Sequence, residues 1–153
     1  LALVDGEQGI MQRRPRAKHH GIFTGEWTML ILAGVLNAVV ALGLFVFVRT
    51  TVPDSLPLAR TVALTTTIVF QMLLSISTRT RKPVFFESPL KNRYLVGAIA
   101  CSLLLHILLL STPLGLLFQV VPIPLPLWGL LLGACLAGFL IFETAKWIQN
   151  KSK

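Results

Sequence analysis

Charge is scarce in this sequence. Only 13% of its 153 residues are Asp, Glu, Lys or Arg, where a soluble domain carries about 25%, so water is the wrong solvent for most of the chain. Cysteine is nearly absent too: Cys101 and Cys135 each lie within an apolar run, where a thiol behaves as a small buried hydrophobe, and neither predicts a disulfide or a redox compartment. The sequence has no Gly-rich phosphate loop, no cluster of His and carboxylates at ligand spacing, and no Ser-His-Asp set. On its own the segment is therefore expected not to be an enzyme and to hold no cofactor. It opens on Leu1 rather than Met and lacks the basic start and long apolar core of a signal peptide, which predicts a beginning inside a longer protein.

What the chain has is apolar surface. Hydrophobic residues make up 54% of it, the mean hydropathy is +0.76, and four runs approach the length of about 20 residues that a bilayer span requires. They lie at about 27–48, 58–78, 94–111 and 125–142, with a cytoplasmic loop expected over 1–26 and a tail over 148–153. The predicted class is an all-α membrane protein, a four-helix transmembrane bundle with lipid as its main partner. In a bacterium its place is the inner membrane. The proline-bearing links are short: 49–57 joins the first two spans, and the uncharged stretch 112–124, with Pro113, Pro122 and Pro124, reads as a turn in the headgroup region. Pro126 suits the first turn of the last helix.

The net charge of +8 does not point to nucleic acid, because the basic residues sit between apolar runs and are not interleaved with aromatics on a soluble face. They sort by side instead. Twelve of the fourteen Lys and Arg fall before the first span, between the second and third, or after the fourth, while only Arg49 and Arg60 flank the first link. The positive-inside rule then places both termini in the cytoplasm. Trp27, Tyr94, Trp128 and Trp147 stand close to span ends, where interfacial aromatics belong.

Within the spans, Thr67, Gln71, Ser75 and Thr78 occur at i, i+4, i+8 and i+11 of the second run, one helical face. That face is expected to point into the bundle, since lipid cannot satisfy a side-chain amide. Two roles are open to it: hydrogen bonding that holds the helices together, or coordination of a hard cation by the carbonyl oxygen of Gln71. His106 reads as a satisfied histidine of the bundle, and His19 and His20 lack ligand partners. The small pairs Gly34/Ala38, Gly129/Gly133 and Ala134/Gly138 predict tight helix contacts. Glu143 and Lys146, at i and i+3 near the cytoplasmic end of the fourth helix, can pair there, worth about 0.3 kcal/mol if exposed, and Glu26 suits the positive end of the first helix.

Ile10-Met11-Gln12-Arg13-Arg14-Pro15-Arg16, with Gly21-Ile22-Phe23-Thr24-Gly25 after it, resembles the cytoplasmic loop that follows the sixth membrane helix of type II cation-transporting P-type ATPases; Arg14 stands where that loop commonly has a proline. Ala59 to Gln71 resembles the family's eighth helix, and Ser88-Pro89-Leu90-Lys91-Asn92-Arg93-Tyr94-Leu95 the approach to the ninth. Pro113-Leu114, Leu117 to Pro122, Pro126-Leu127-Trp128 and Glu143-Thr144-Ala145-Lys146 are similar to the ninth-to-tenth link and tenth helix of calcium pumps.

The resemblance implies the seventh to tenth helices of such a pump. It implies Gln71 as a ligand of the transported cation, at a place where reticulum-type calcium pumps carry glutamate, whereas Leu74 and Ser77 occupy places where several relatives have asparagine. It also implies a coupling loop at Arg13, Arg14, Pro15 and Arg16, and as partners the missing N-terminal helices and cytoplasmic domains, where Mg-ATP would act. A free-standing scaffold or small transporter is the alternative. A proton-coupled exporter requires a carboxylate at mid-membrane, and Glu26 and Asp54 lie at span ends.

Overall fold

The computed structural model describes residues 27–78 and 93–151. The loop carrying Arg13 to Arg16, together with Glu26, His19 and His20, lies outside them, as does most of the basic link between the second and third spans. Among the described residues four helices are long and apolar enough to cross a membrane: α1 Trp27–Thr51, α2 Leu56–Ser77, α3 Arg93–Ser111 and α5 Leu125–Lys151, with a short α4, Leu114–Leu117, between the last two. The chain is thus an all-helical, multi-pass integral membrane protein, as lipid requires of any segment that must satisfy its backbone internally.

Helix ends differ from the hydropathy limits where polar residues find local partners. α1 runs on through Thr50 and Thr51, whose hydroxyls donate to the carbonyls of Val46 and Phe47 (2.9 and 2.7 Å), so the link to α2 contracts to four residues, 52–55. There Asp54 takes a positive φ of 50°. Ser55, buried at the start of α2, sends its hydroxyl back to Val48 O at 3.1 Å, tying the two helix ends together, and Pro57 occupies the first turn of α2. The stretch 112–124 is not only a turn. It forms α4, where a Cβ on Gly115 would stand 2.8 Å from Leu109 O, so only glycine fits this close fold-back. α5 continues from Phe142 to Lys151.

α1 packs along α2, and α5 lies against both. The core between them holds Leu44, Val48, Ala59, Val62, Phe70, Leu131 and Cys135. At the junction of all three helices Gly138 accepts the ring of Phe70: a Cβ there would meet Phe70 Cε2 at 2.8 Å and Val40 Cγ2 at 3.1 Å. Ala134, one turn before Gly138, also packs against the core, whereas three of the other small residues do not behave as expected. Gly34, Gly129 and Gly133 have open space where a side chain would be, so a small-residue spacing in an apolar helix does not by itself mark an interface. Gln149 Nε2 donates to Thr28 Oγ1 (3.2 Å), which brings the start of α1 and the end of α5 to the same end of the bundle. Trp27, Tyr94 and Trp147 are exposed, and Trp128 is half-buried.

Candidate functional site

α2 carries the polar side chains of the bundle on two opposed faces. On the packed face, Thr61, Thr65 and Thr66 are fully buried, and each hydroxyl donates to the carbonyl four residues back: Thr61 to Pro57 O (2.8 Å), Thr65 to Thr61 O (2.8 Å), Thr66 to Val62 O (2.7 Å). In an apolar medium this is how a threonine satisfies its proton without leaving the helix. A hydroxyl keeps two acceptor lone pairs after donating its one hydrogen. Thr61 Oγ1 then accepts the backbone N–H of Val121 in the α4–α5 link (3.0 Å), and Thr65 Oγ1 meets His106 Nε2 of α3 (2.9 Å). The Sγ of Cys135 donates to Thr66 O at 3.7 Å. The threonines are therefore a hub from which α2 holds α3, the α4–α5 link and α5.

A second buried cluster sits where α2 ends against α5. Ser77 donates its hydroxyl to Glu143 Oε1, and Lys146 Nζ donates to Ser77 O (2.6 Å) and to Ser77 Oγ (3.2 Å) while standing 3.8 Å from Glu143 Oε1. Lys146 thus caps one of the last carbonyls of α2 from a neighbouring helix. The two residues expected to pair do stand together, but buried rather than exposed, Glu143 at 1% and Lys146 at 8%, so the small value of an exposed pair does not apply. Leu131, Cys135, Gly138 and Phe142 recur along the packed side of α5 with Glu143 and Lys146 buried beside them, but Leu130, Leu132, Leu136 and Leu140 are exposed on the same helix, so hydropathy carried no sign of which side this is.

The stripe singled out by spacing lies elsewhere. Gln71 and Ser75 are exposed, Thr78 is exposed, and Thr67 is half-buried with its hydroxyl on Ala63 O at 3.0 Å. The stripe does not turn into this bundle, because α1 and α5 occupy the other side of α2. Instead Gln71 and Ser75 line a groove between α2 and α3, of about 230 Å³, whose opposite wall brings Ser102 among Leu95, Ala98 and Ile99. Ser102 and His106 were not legible as site residues, since a lone serine and a lone histidine in separate leucine-rich turns show no pattern.

The groove gathers uncharged oxygen donors: the amide carbonyl of Gln71 and the hydroxyls of Ser75 and Ser102. Such oxygens suit a hard cation, but Ca²⁺ takes six to eight, so this wall can contribute to a coordination sphere and cannot complete one. Leu74, half-buried, adds none, and Ser77 is committed to Glu143 and Lys146. No group of three or more His, Cys, Asp and Glu side chains gathers among the described residues.

The family model described as cation transporting ATPase, C-terminus, matches residues 1–148. Among curated proteins, a calcium-transporting ATPase of Bacillus subtilis is 30% identical over 135 residues, covering 87% of this chain and 15% of its own length. A calcium-transporting ATPase of Listeria monocytogenes is 26% identical over 162 aligned positions, covering 99% of this chain and 17% of its own. The chain thus spans about a sixth of the length of these relatives. No solved structure matches it.

Proposed function

The chain belongs to the family of cation-transporting ATPase C-termini, and from that premise we propose that it is the membrane-embedded C-terminal part of an ATP-driven cation pump, calcium being the first candidate cargo. The observation that carries this reading is the Gln71 face. A carboxamide and a hydroxyl one turn apart stay uncovered on α2 while the opposite face of the same helix is fully packed. In lipid such a face requires a protein partner or a polar pathway. The partner in this reading is the set of pump helices outside this chain, which carry the remaining cation ligands.

Mg-ATP acts on the part outside this chain, phosphorylating an aspartate there, and the resulting domain motion alternates access to the membrane sites. α1, α2 and α5 form the brace against which the moving helices work. Gln71 lends one oxygen to the cation, and Thr67, Ser75 and Thr78 extend the polar face. Both termini are cytoplasmic in this arrangement, consistent with the contact that brings the outer ends of α1 and α5 together, and Arg13, Arg14, Pro15 and Arg16 lie toward the phosphorylation domain as a coupling loop.

The test is cation-stimulated ATP hydrolysis by the full-length protein in membranes, screened over calcium, magnesium, sodium and potassium. Gln71→Ala is expected to raise the half-saturating concentration of the stimulating cation by about tenfold, the equivalent of one lost ligand contact of about 1.4 kcal/mol. An unchanged cation dependence would reduce Gln71 to an interhelical contact.

A further inference from the structure

The two walls of the groove converge at its inner end. α2 and α3 run antiparallel, so that Ile68 to Ser75 face Ser102 to Leu95 across the groove, and Thr65 meets His106 just beyond it. Along α3, Leu95, Ile99, Ser102 and His106 recur at i, i+4, i+7 and i+11, one face of the helix. Much of α3 is turned away from the bundle, with Leu104, Leu105, Ile107 and Leu108 exposed, while His106 is 6% exposed and Leu110 reaches the core at the end of the helix. A buried imidazole is costly in an apolar surrounding unless its ring nitrogens are bonded.

His106 Nε2 and Thr65 Oγ1 are hydrogen-bonded at 2.9 Å, and the same hydroxyl stands 2.8 Å from Thr61 O. An imidazole nitrogen and a hydroxyl can each take either role in such a bond. The α2–α3 tie thus depends on a polar nitrogen that no aliphatic residue of similar size supplies.

We infer that His106 is a positioning residue for the Gln71 face: through its hydrogen bond with Thr65 it pins α3 to α2 at the inner end of the groove, and so sets the distance at which Ser102 and the α3 wall stand from Gln71 and Ser75. The inference rests on the proposed role of Gln71 in the pump. His106 touches no cation in this account. Releasing its bond lets α3, which has little other contact with α2, swing or rotate, and the site loses its spacing while the brace of α1, α2 and α5 stays intact.

The experiment uses the full-length pump in membranes and three substitutions: His106→Leu, which keeps bulk and removes the hydrogen bond; His106→Gln, whose amide can bond the hydroxyl at similar reach; and Thr65→Val, which removes the hydroxyl with little change of shape. Two quantities are read. One is the half-saturating calcium concentration for ATP hydrolysis, against the maximal rate; the other is the rate of disulfide formation between Met72→Cys and Ala98→Cys across the groove, with the remaining cysteines replaced.

His106→Leu and Thr65→Val are each expected to raise the half-saturating calcium concentration about three- to tenfold, the range of single interhelical hydrogen bonds, with the maximal rate within about twofold. Both are expected to slow cross-linking, His106→Gln to restore both readings, and the double variant to be no worse than either single one. Unchanged readings in His106→Leu, a His106→Gln as impaired as His106→Leu, or a loss confined to the maximal rate each overturn the inference. If Gln71→Ala leaves calcium dependence unaltered while cross-linking still responds to His106, the ligand role of Gln71 fails and the pinning of α3 stands.

Discussion

Lys146→Met is expected to destabilise the membrane domain by about 3–5 kcal/mol, the usual consequence of removing one partner from a buried ion pair. The Glu143 side chain is fully buried and that of Lys146 only 10% exposed, so solvent cannot take over the neutralisation of the carboxylate. At 3.8 Å the two charges do not touch at hydrogen-bond distance, and Ser77 mediates between them, donating to Glu143 and accepting from Lys146. Removing the ammonium takes the Lys146 charge away from a buried carboxylate, and it also uncaps the last turn of α2.

The paired change Glu143→Leu with Lys146→Met takes both charges away. It is expected to recover stability to within about 1–2 kcal/mol of the parent, because apolar replacements of a buried pair are often close to neutral. Ser77 is then free to bond a carbonyl of its own helix, as the threonines of α2 do. The midpoint of thermal unfolding of the detergent-solubilised full-length protein, measured for both singles and the double, decides this. A Lys146→Met that melts with the parent would mean that the cluster is hydrated and contributes little.

Phe70→Ala carries the second large effect, about 3–5 kcal/mol for a buried aromatic truncated in a packed core. Phe70 is fully buried where α1, α2 and α5 meet, with Gly138 and Val40 closed around its ring. The cavity would open at a place where all three bracing helices touch. Gly138→Ala alone is also expected to destabilise, by about 1–3 kcal/mol, since its methyl would overlap a ring that has no room to retreat.

The two changes are coupled through the same volume. In the Phe70→Ala background the contact at 2.8 Å disappears, and Gly138→Ala is expected to become neutral or stabilising by filling part of the void. Thermal midpoints of the four proteins measure that coupling. Additive losses would place Gly138 outside the Phe70 junction.

Four spans were legible because bilayer thickness fixes a minimum apolar length, and α1, α2, α3 and α5 each exceed it. Their limits were less so: hydropathy falls at Glu143 and Lys146, yet α5 continues to Lys151 because those charges find partners inside the protein. Periodicity located the stripe of Thr67, Gln71 and Ser75 correctly as one face of α2 but could not tell which helices cover it. In a soluble helix the polar face is the wet one. Here many of the exposed residues of α1 and α3 are Leu, Val and Ile, so apolar character does not distinguish inside from outside.

Threonine was the residue most underread. Thr61, Thr65 and Thr66 lie on the buried side because each spends its hydrogen on its own helix, which makes it tolerable in the core and leaves an acceptor for a neighbour. His106 was expected to be satisfied within the bundle, and Thr65 is the partner that meets this expectation. The partner could not be named beforehand, since the two residues are 41 positions apart and join through helix packing alone.

The most direct measurement is equilibrium calcium binding to the full-length protein in membranes without ATP, comparing the parent with Gln71→Ala. Without turnover, only the site is read. A dissociation constant raised about tenfold, with the number of sites retained, is the predicted result. Identical binding curves for the two proteins would contradict it, and would leave the uncovered face of α2 as a contact for other helices rather than a wall of the cation site.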